Sequence, residues 1–254
     1  TLSTSSAASD VYKRQVDRLY HLEQRLSTLG ADRKPDTPQI MPKQTVSVGK
    51  LRDNGSLTLE LFASVRSPYT AIVFDRVLAL AETTGVTLNV RPILPMVMRG
   101  VSATREKGIY IFSDAAREAR ASNVPYGDFY DPIGEPTRRC YSLYPWACSQ
   151  GKGNALLSSF LSAAFAKGIN TNNDRGLRQV VENAGLDWTS AKQIVDQDGW
   201  QETLEDNRLA MYDSGLWGAP SFRLIDADQN VVLALWGQDR LWLLEREIQN
   251  LLDQ

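Results

Sequence analysis

Ser67-Pro68-Tyr69-Thr70 sets two hydroxyls three residues apart, where a strand-like run, Leu57 to Val65, gives way to a helix-like run, Ala71 to Ala81. A serine N-cap with proline at the first helical position is a strong helix start. The Ser67 hydroxyl then stands where backbone N–H groups and the positive end of the helix dipole converge, a place suited to an anion or a thiolate. Neither Ser67 nor Thr70 can form a disulfide, and an alcohol is a poor nucleophile without an activating base. Such a site can receive an anion, or another molecule's thiolate, without forming a disulfide itself.

Other chemistries are excluded by residue counts. His21 is the only histidine and lies far along the chain from Ser67. A Ser-His-Asp triad and a histidine zinc site in the main domain are therefore ruled out. The two cysteines, Cys140 and Cys148, cannot make a four-cysteine zinc site, and no metal is expected. Eight residues apart in a helix-like run, they are separated by roughly 12 Å, too far for a disulfide. Both read as buried small apolar residues. A formal net charge of −2 with no long basic run gives no sign of nucleic acid binding. No stretch approaches the roughly 20 apolar residues that span a bilayer, so no membrane partner is expected.

The chain has 254 residues, 43% of them hydrophobic, enough for a sizeable core in one or two domains. Leu57–Val65 reads as a mostly buried strand. Pro68–Thr84 carries Ile72, Val73, Val77, Leu78, Leu80 and Ala81 at helical spacing and stops at Gly85. Val86–Val90 reads as a second strand, ended by Arg91-Pro92. Strand, helix and strand with short joins argue for a βαβ unit with parallel strands. A helix-like middle follows, from about 99 to 214, with breaks at Pro125, Asp131-Pro132, Pro136, Gly151-Lys152-Gly153, Gly168 and Gly185. Within it, Asp174 is expected to cap a helix through Glu182, and Thr189 one through Asp196. Ser221–Ile225 and Val231–Leu235 read as strands joined by a hairpin turn at 226–230. An amphipathic helix from Gln238 to Leu252 closes the chain. The order βαβ, helices, ββα is an α/β thioredoxin fold with an all-helical insertion between the second and third strands.

The first part of the chain reads differently. Ser5 to Gln15 matches an in-frame translation of a common sequencing-library adapter, so residues 1–15 are set aside as a scar that is not natural sequence. The segment after it repeats the end of the chain. Asp17-Arg-Leu-Tyr-His-Leu-Glu-Gln-Arg-Leu26 aligns with Asp239-Arg-Leu-Trp-Leu-Leu-Glu-Arg-Glu-Ile248. Two unrelated amphipathic helices could share that pattern, but helix formation does not demand the Asp-Arg pair at the same offset. Residues 16–28 are read as the last helix of a truncated upstream copy of the same domain, residues 29–55 as a linker, and 56–254 as the complete domain.

Three separated motifs then coincide: Ser67-Pro-Tyr-Thr70, Gly218-Ala-Pro-Ser-Phe222 before the third strand, and Trp236-Gly-Gln-Asp-Arg-Leu241 opening the last helix. With Arg91-Pro92 and Lys107-Gly-Ile-Tyr110, they resemble the 2-hydroxychromene-2-carboxylate isomerase and kappa-class glutathione transferase branch of the DsbA-like thioredoxin superfamily. The likeness runs from Leu57 to Leu252. By this resemblance Ser67 is the catalytic serine that hydrogen-bonds the sulfur of glutathione, a cosubstrate. Pro220 is the cis-proline beside it, exposing the Ala219 backbone to a peptide-like ligand. Gln238 and Asp239 meet the γ-glutamyl end, with Asp239 pairing with its ammonium. Tyr69, Thr70, Met96 and Lys107 border the substrate pocket. Where the family commonly has small residues after Arg-Pro, this chain has Pro95-Met96 within Ile93 to Met98. That loop suits an apolar aromatic electrophile as substrate.

The resemblance implies an isomerase or a transferase. Two other readings stand beside it. One is a thiol–disulfide oxidoreductase whose upstream copy carries the cysteines, and the other is a non-catalytic thioredoxin-fold binding module. Use of glutathione and the lack of a structural disulfide favour a reducing cytoplasm.

Overall fold

The computed structural model describes residues 17–35, 37–47 and 49–253. The adapter-like residues 1–15 lie outside the described residues. The chain divides into two units, Thr1–Thr45 and Val46–Gln254.

In the first unit, helix α1 (Leu19–Thr28) follows Arg18, which makes no side-chain cap. Tyr20 is its buried residue. The Glu23 carboxylate accepts the backbone N–H groups of Ile40 and Met41, each at 3.0 Å, so the following chain is strapped along the helix.

The second unit is a four-stranded sheet wrapped in helices. Strand β1 (Thr58–Ala63) pairs parallel with β2 (Thr87–Pro92) and antiparallel with β3 (Ser221–Ile225). Strand β4 (Val231–Trp236) adds antiparallel to β3, giving the order β2-β1-β3-β4. Helix α2 (Pro68–Thr84) makes the β1-to-β2 crossover. It starts at the Ser67 cap and stops at Gly85, whose backbone is left-handed at φ 79° and whose Cα approaches the Asp53 carbonyl too closely for a side chain.

Strand β2 sits one to two residues later than the expected 86–90. Parallel pairing carries it to Pro92, opposite Ala63, where a missing N–H faces no ladder partner. The insertion between β2 and β3 is all helical: α3 (Arg105–Ala121), α4 (Glu135–Ser149), α5 (Gly153–Phe165), α6 (Asp174–Asn183), α7 (Trp188–Ile194) and α8 (Gln201–Asp213). Two helix starts differ from expectation. Asn173, not Asp174, caps α6 through the Gly176 N–H, and Asp187, not Thr189, caps α7 through the Ser190 N–H. In each case an Asx side chain one or two residues earlier reaches the third helical N–H first. Helix α7 also ends at Ile194, short of Asp196. The last helix is α9 (Leu241–Leu252), preceded by a 3₁₀ turn at Gln238–Arg240 rather than continuous from Gln238.

Alternation along β1 divides the core in two. Leu59, Leu61 and Ala63 join the main cluster with Val73, Phe74 and Val77 of α2, Phe160 of α5, and Leu241, Leu244 and Ile248 of α9. Phe62 faces the other way, with Ile93, Met211 and Leu216 under α8. Glu60 shares that second face and is buried. It accepts from Arg91 at 2.9 Å and from the Arg223 Nε at 2.6 Å, and both guanidinium groups lie 5.5 Å from the Phe62 ring centre. Arg91 also donates to Asn207, and Arg223 to the Ala210 carbonyl. Pairing of Glu60 with both guanidinium groups, and their further hydrogen bonds to Asn207 and Ala210, make this burial tolerable and fasten α8 across β1, β2 and β3.

Of the expected linker, 29–55, residues 46–55 belong to the second unit. Gly49 donates to the Glu245 carboxylate at 2.8 Å, and Leu51 exchanges hydrogen bonds with the Gln249 side chain. A Cβ at Gly49 would fall within 2.1 Å of the Gln249 amide carbon, so a larger residue there would displace the Gln249 side chain from Leu51.

Candidate functional site

The strand β1, the turn after it and the loop before β3 converge on Ser67. Its hydroxyl accepts the Thr70 N–H at 3.2 Å, as an N-cap should, and donates to the Ala219 carbonyl at 2.9 Å. The side chain is half-buried. Thr70 is fully buried behind it, its Oγ1 3.5 Å from the Ser64 backbone nitrogen. Thr70, expected to border the substrate pocket, therefore lies inside the core, and Ser67 is the hydroxyl of the pair with access to solvent. Arg66, next in chain, makes a two-pronged pair with Asp131 of the insertion, Nε to Oδ1 at 2.7 Å and Nη2 to Oδ2 at 2.8 Å.

The Ala219–Pro220 peptide bond is cis. The loop is held on both sides: Ser221 Oγ donates to the Gly218 carbonyl at 2.7 Å, and the Gly237 N–H donates to the Pro220 carbonyl at 3.0 Å. Gly218 lies flat against the Trp236 indole, where a Cβ would come within 2.5 Å of Nε1. Trp217 and Trp236, both exposed, lie 5.2 Å apart between ring centres with their planes tilted by 37°, and form an apolar wall beside this loop.

The 3₁₀ turn and α3 place a group of polar side chains near the start of α2. Gln238 is buried and its amide donates to Glu118 Oε2 at 2.7 Å. The Tyr69 hydroxyl donates to the fully buried Asp114 carboxylate at 2.8 Å, and Arg117 donates to the other oxygen at 3.0 Å. Asp239 is half-buried, with its carboxylate folded back over Gly237 and 3.8 Å from the Arg240 guanidinium. Gly237 has φ 111°, so a side chain there would be both strained and in contact with Asp239.

Ser67 and Ala219 are thus in contact. Tyr69, Gln238 and Asp239 lie on the elements that flank them, with Tyr69 and Gln238 each committed to a carboxylate of α3. Met96 is half-buried at the start of a short 3₁₀ turn, Met96–Arg99. Lys107 is exposed in the first turn of α3, its backbone N–H taken by the Thr104 cap at 3.2 Å. Cys140 is fully buried, and burial pushes its thiol far above the usual range. Cys148 corrects the expectation of a second buried thiol: it is exposed near the end of α4. Among the described residues no group of histidines, cysteines and carboxylates could hold a metal, and no helix is long and apolar enough to cross a membrane.

Arg99 has no counterpart among the residues singled out from the sequence. Its Nη2 donates to the Trp217 carbonyl at 3.2 Å, two residues before Ala219, and its Nη1 donates to the Tyr212 hydroxyl at 3.0 Å. Its Nε is buried without a hydrogen-bond partner. Burial lowers the guanidinium pKa, with Tyr212 opposing the shift. Two residues of backbone separate the carbonyl it holds from the carbonyl Ser67 holds, so guanidinium and hydroxyl fall within about 13 Å. The only sequence signal was a cation at the end of an apolar loop.

Known proteins agree on the architecture. Residues 58–249 match the family of DSBA-like thioredoxin domains. The chain is 26% identical over 196 residues to a 2-hydroxychromene-2-carboxylate isomerase from Sphingobium xenophagum, covering 74% of this chain and 96% of that protein. Among solved structures, a 2-hydroxychromene-2-carboxylate isomerase superposes with a TM-score of 0.62 at 19% identity, over 76% of this chain and 95% of the other. A cytosolic disulfide reductase, DsbM from Pseudomonas aeruginosa, superposes with a TM-score of 0.57 at 18% identity, over 77% and 97%.

Proposed function

For a chain that belongs to the DsbA-like thioredoxin family, we propose a glutathione-dependent isomerase or transferase of the 2-hydroxychromene-2-carboxylate isomerase and kappa type, with Ser67 holding the glutathione thiolate. The observation that carries the reading is the Ser67 hydroxyl, which caps α2 and touches the Ala219 carbonyl at once. The residues present fit such a ligand. A hydroxyl donor at a helix start suits the sulfur, the Ala219 backbone suits a peptide-like strand partner, and the Asp239 carboxylate suits an ammonium group.

A bound thiolate supplies a nucleophile that adds to a conjugated double bond and either leaves again after rotation or stays attached. The protein's part is to keep that sulfur ionised and placed. Ser67 turns its proton from Ala219 to the sulfur, while the N–H groups at the start of α2 add the helix dipole. The dipole is worth about 0.3–1 kcal/mol, at most about 2, enough to bring a thiol ordinarily near 8.5 down to about 7. Trp217 and Trp236 offer an aromatic substrate ring faces to pack on, and Met96 with its neighbours adds apolar surface. Small aromatic electrophiles are the substrate class; Tyr69, Thr70 and Lys107 border that pocket in this reading, Thr70 from behind. Cytoplasmic residence follows only from the use of glutathione.

Thermal unfolding with glutathione tests it. At about 100 times its Kd a ligand stabilises by about 2.7 kcal/mol, a midpoint rise of roughly 5–10 °C for a domain of this size. Ser67→Ala should remove most of that rise and slow conjugation to an aromatic electrophile on the order of 100-fold. No rise at 10 mM glutathione, or measurable reduction of insulin by the unaltered chain, would falsify the assignment.

A further inference from the structure

Helix α3 carries two carboxylates one turn apart, Asp114 and Glu118. Residues four apart share a helix face, so both point the same way. Asp114 is 0% and Glu118 2% exposed. Ala115 and Ala119 of the same helix pack against Ile72 of α2, and these small side chains bring the two helices close. Buried acids need donors. Asp114 takes the Tyr69 hydroxyl at 2.8 Å and the Arg117 guanidinium at 3.0 Å, and Glu118 takes the Gln238 amide at 2.7 Å.

Tyr69 and Gln238 stand on the two elements that make the Ser67–Ala219 contact. Tyr69 is in the first turn of α2, two residues beyond Ser67. Gln238 follows Gly237, whose N–H holds the Pro220 carbonyl at 3.0 Å, and α2 packs against the 3₁₀ turn that Gln238 opens. A carboxylate accepts hydrogen bonds and does not donate them. The Tyr69 proton is therefore committed to Asp114, and what its oxygen offers a further partner is a lone pair. Gln238 must turn its NH2 group to Glu118, so the edge it offers a ligand is the carbonyl Oε1. With the Asp239 carboxylate next in chain, three side chains flanking the Ser67 loop are set as acceptors.

Resting on the glutathione reading, we propose that Asp114 and Glu118 are positioning residues that set the hydrogen-bond polarity of the ligand cleft. They hold Tyr69 and Gln238 as acceptors, and the cleft then selects a thiol peptide whose far end bears a protonated amine. The two acids act through the side chains they orient. With a neutral amide at 118, Gln238 is able to turn over and present its NH2 group, and an ammonium meets a donor where it had met an acceptor.

Binding of two thiols to the full chain tests it. One is glutathione, and the other is glutaryl-cysteinyl-glycine, which is glutathione with its amino group replaced by hydrogen. By titration calorimetry the parent should bind glutathione on the order of 10-fold more tightly than the analogue. Glu118→Gln keeps the side-chain volume and should bring the two affinities within about 3-fold of each other by weakening glutathione alone. Tyr69→Phe keeps the ring and should narrow the same ratio, and it carries the test if Glu118→Gln does not fold. A parent that binds neither thiol overturns the glutathione reading and this inference with it. A parent that binds both thiols equally, or variants that weaken both alike or keep the parental ratio, overturn the positioning role and leave the glutathione reading standing.

Discussion

The Ser67 hydroxyl donates to the Ala219 carbonyl at 2.9 Å, joining residues 152 apart in sequence, while it accepts from Thr70. One oxygen therefore closes a helix start and pins the loop before β3. Ser67→Ala should cost about 0.5–2 kcal/mol, lowering the unfolding midpoint by roughly 1–8 °C, and Ser67→Thr should recover much of it. Denaturant titration of the three proteins measures this. An alanine variant as stable as the parent would mean that the hydroxyl contributes nothing to the fold.

Arg99 meets the Trp217 carbonyl and the Tyr212 hydroxyl with two of its nitrogens and buries the third. A guanidinium so placed beside the Ser67 loop favours a substrate bearing a carboxylate. Arg99→Lys loses the planar fork. A hydrogen bond to a charged group is worth about 1.5–3 kcal/mol, so KM for a carboxylate-bearing electrophile should rise about 10- to 100-fold, with little change for its neutral amide. Steady-state kinetics on the matched pair checks it; equal effects on both would remove Arg99 from substrate binding.

Gln238 donates to Glu118, and both are buried. Gln238→Glu sets two carboxyl groups against each other in low dielectric. One of them must then hold its proton to a higher pH than usual. The folded-state pKa of that group lies above its unfolded value, so the penalty is small at acid pH and grows as pH rises. A loss on the order of 3 kcal/mol at pH 7, shrinking below about pH 5, is expected from urea denaturation at several pH values. A penalty independent of pH would show that the pair is not charged in this way.

Asp53 governs the entry to β1. Burial pushes its carboxyl up, but hydrogen bonds from the Ser56 hydroxyl and the N–H groups of Leu57, Gly55 and Ser56 outweigh burial and hold it below the usual range. The folded-state value is depressed, so its contribution is present above about pH 4 and is lost as pH falls through the folded value. Asp53→Asn should reduce stability at pH 7 and flatten the decline of the midpoint between about pH 5 and pH 2. Parallel acid curves for parent and variant would contradict this.

Local signals were easy to read. Ser67 with Pro68, and Gly85 at the other end, delimit α2 to the residue because cap chemistry is local. The order of strands around the insertion followed from periodicity and short joins. Cap positions 173 and 187 were missed by one or two residues, since adjacent Asx and Thr residues compete for the same N–H. Cys148 was missed because helical phase alone does not say which face meets solvent. Arg99, and the Glu118 that takes the Gln238 amide, were hidden for a different reason. Each acquires meaning only from a partner more than 100 residues away, and a single sequence carries no record of such meetings.

The clasp between Arg66 and Asp131 joins the residue before Ser67 to a loop of the helical insertion. Substituting Asp131 would release Arg66, and with it one restraint on the turn that carries Ser67, while leaving the backbone pairing of the sheet in place.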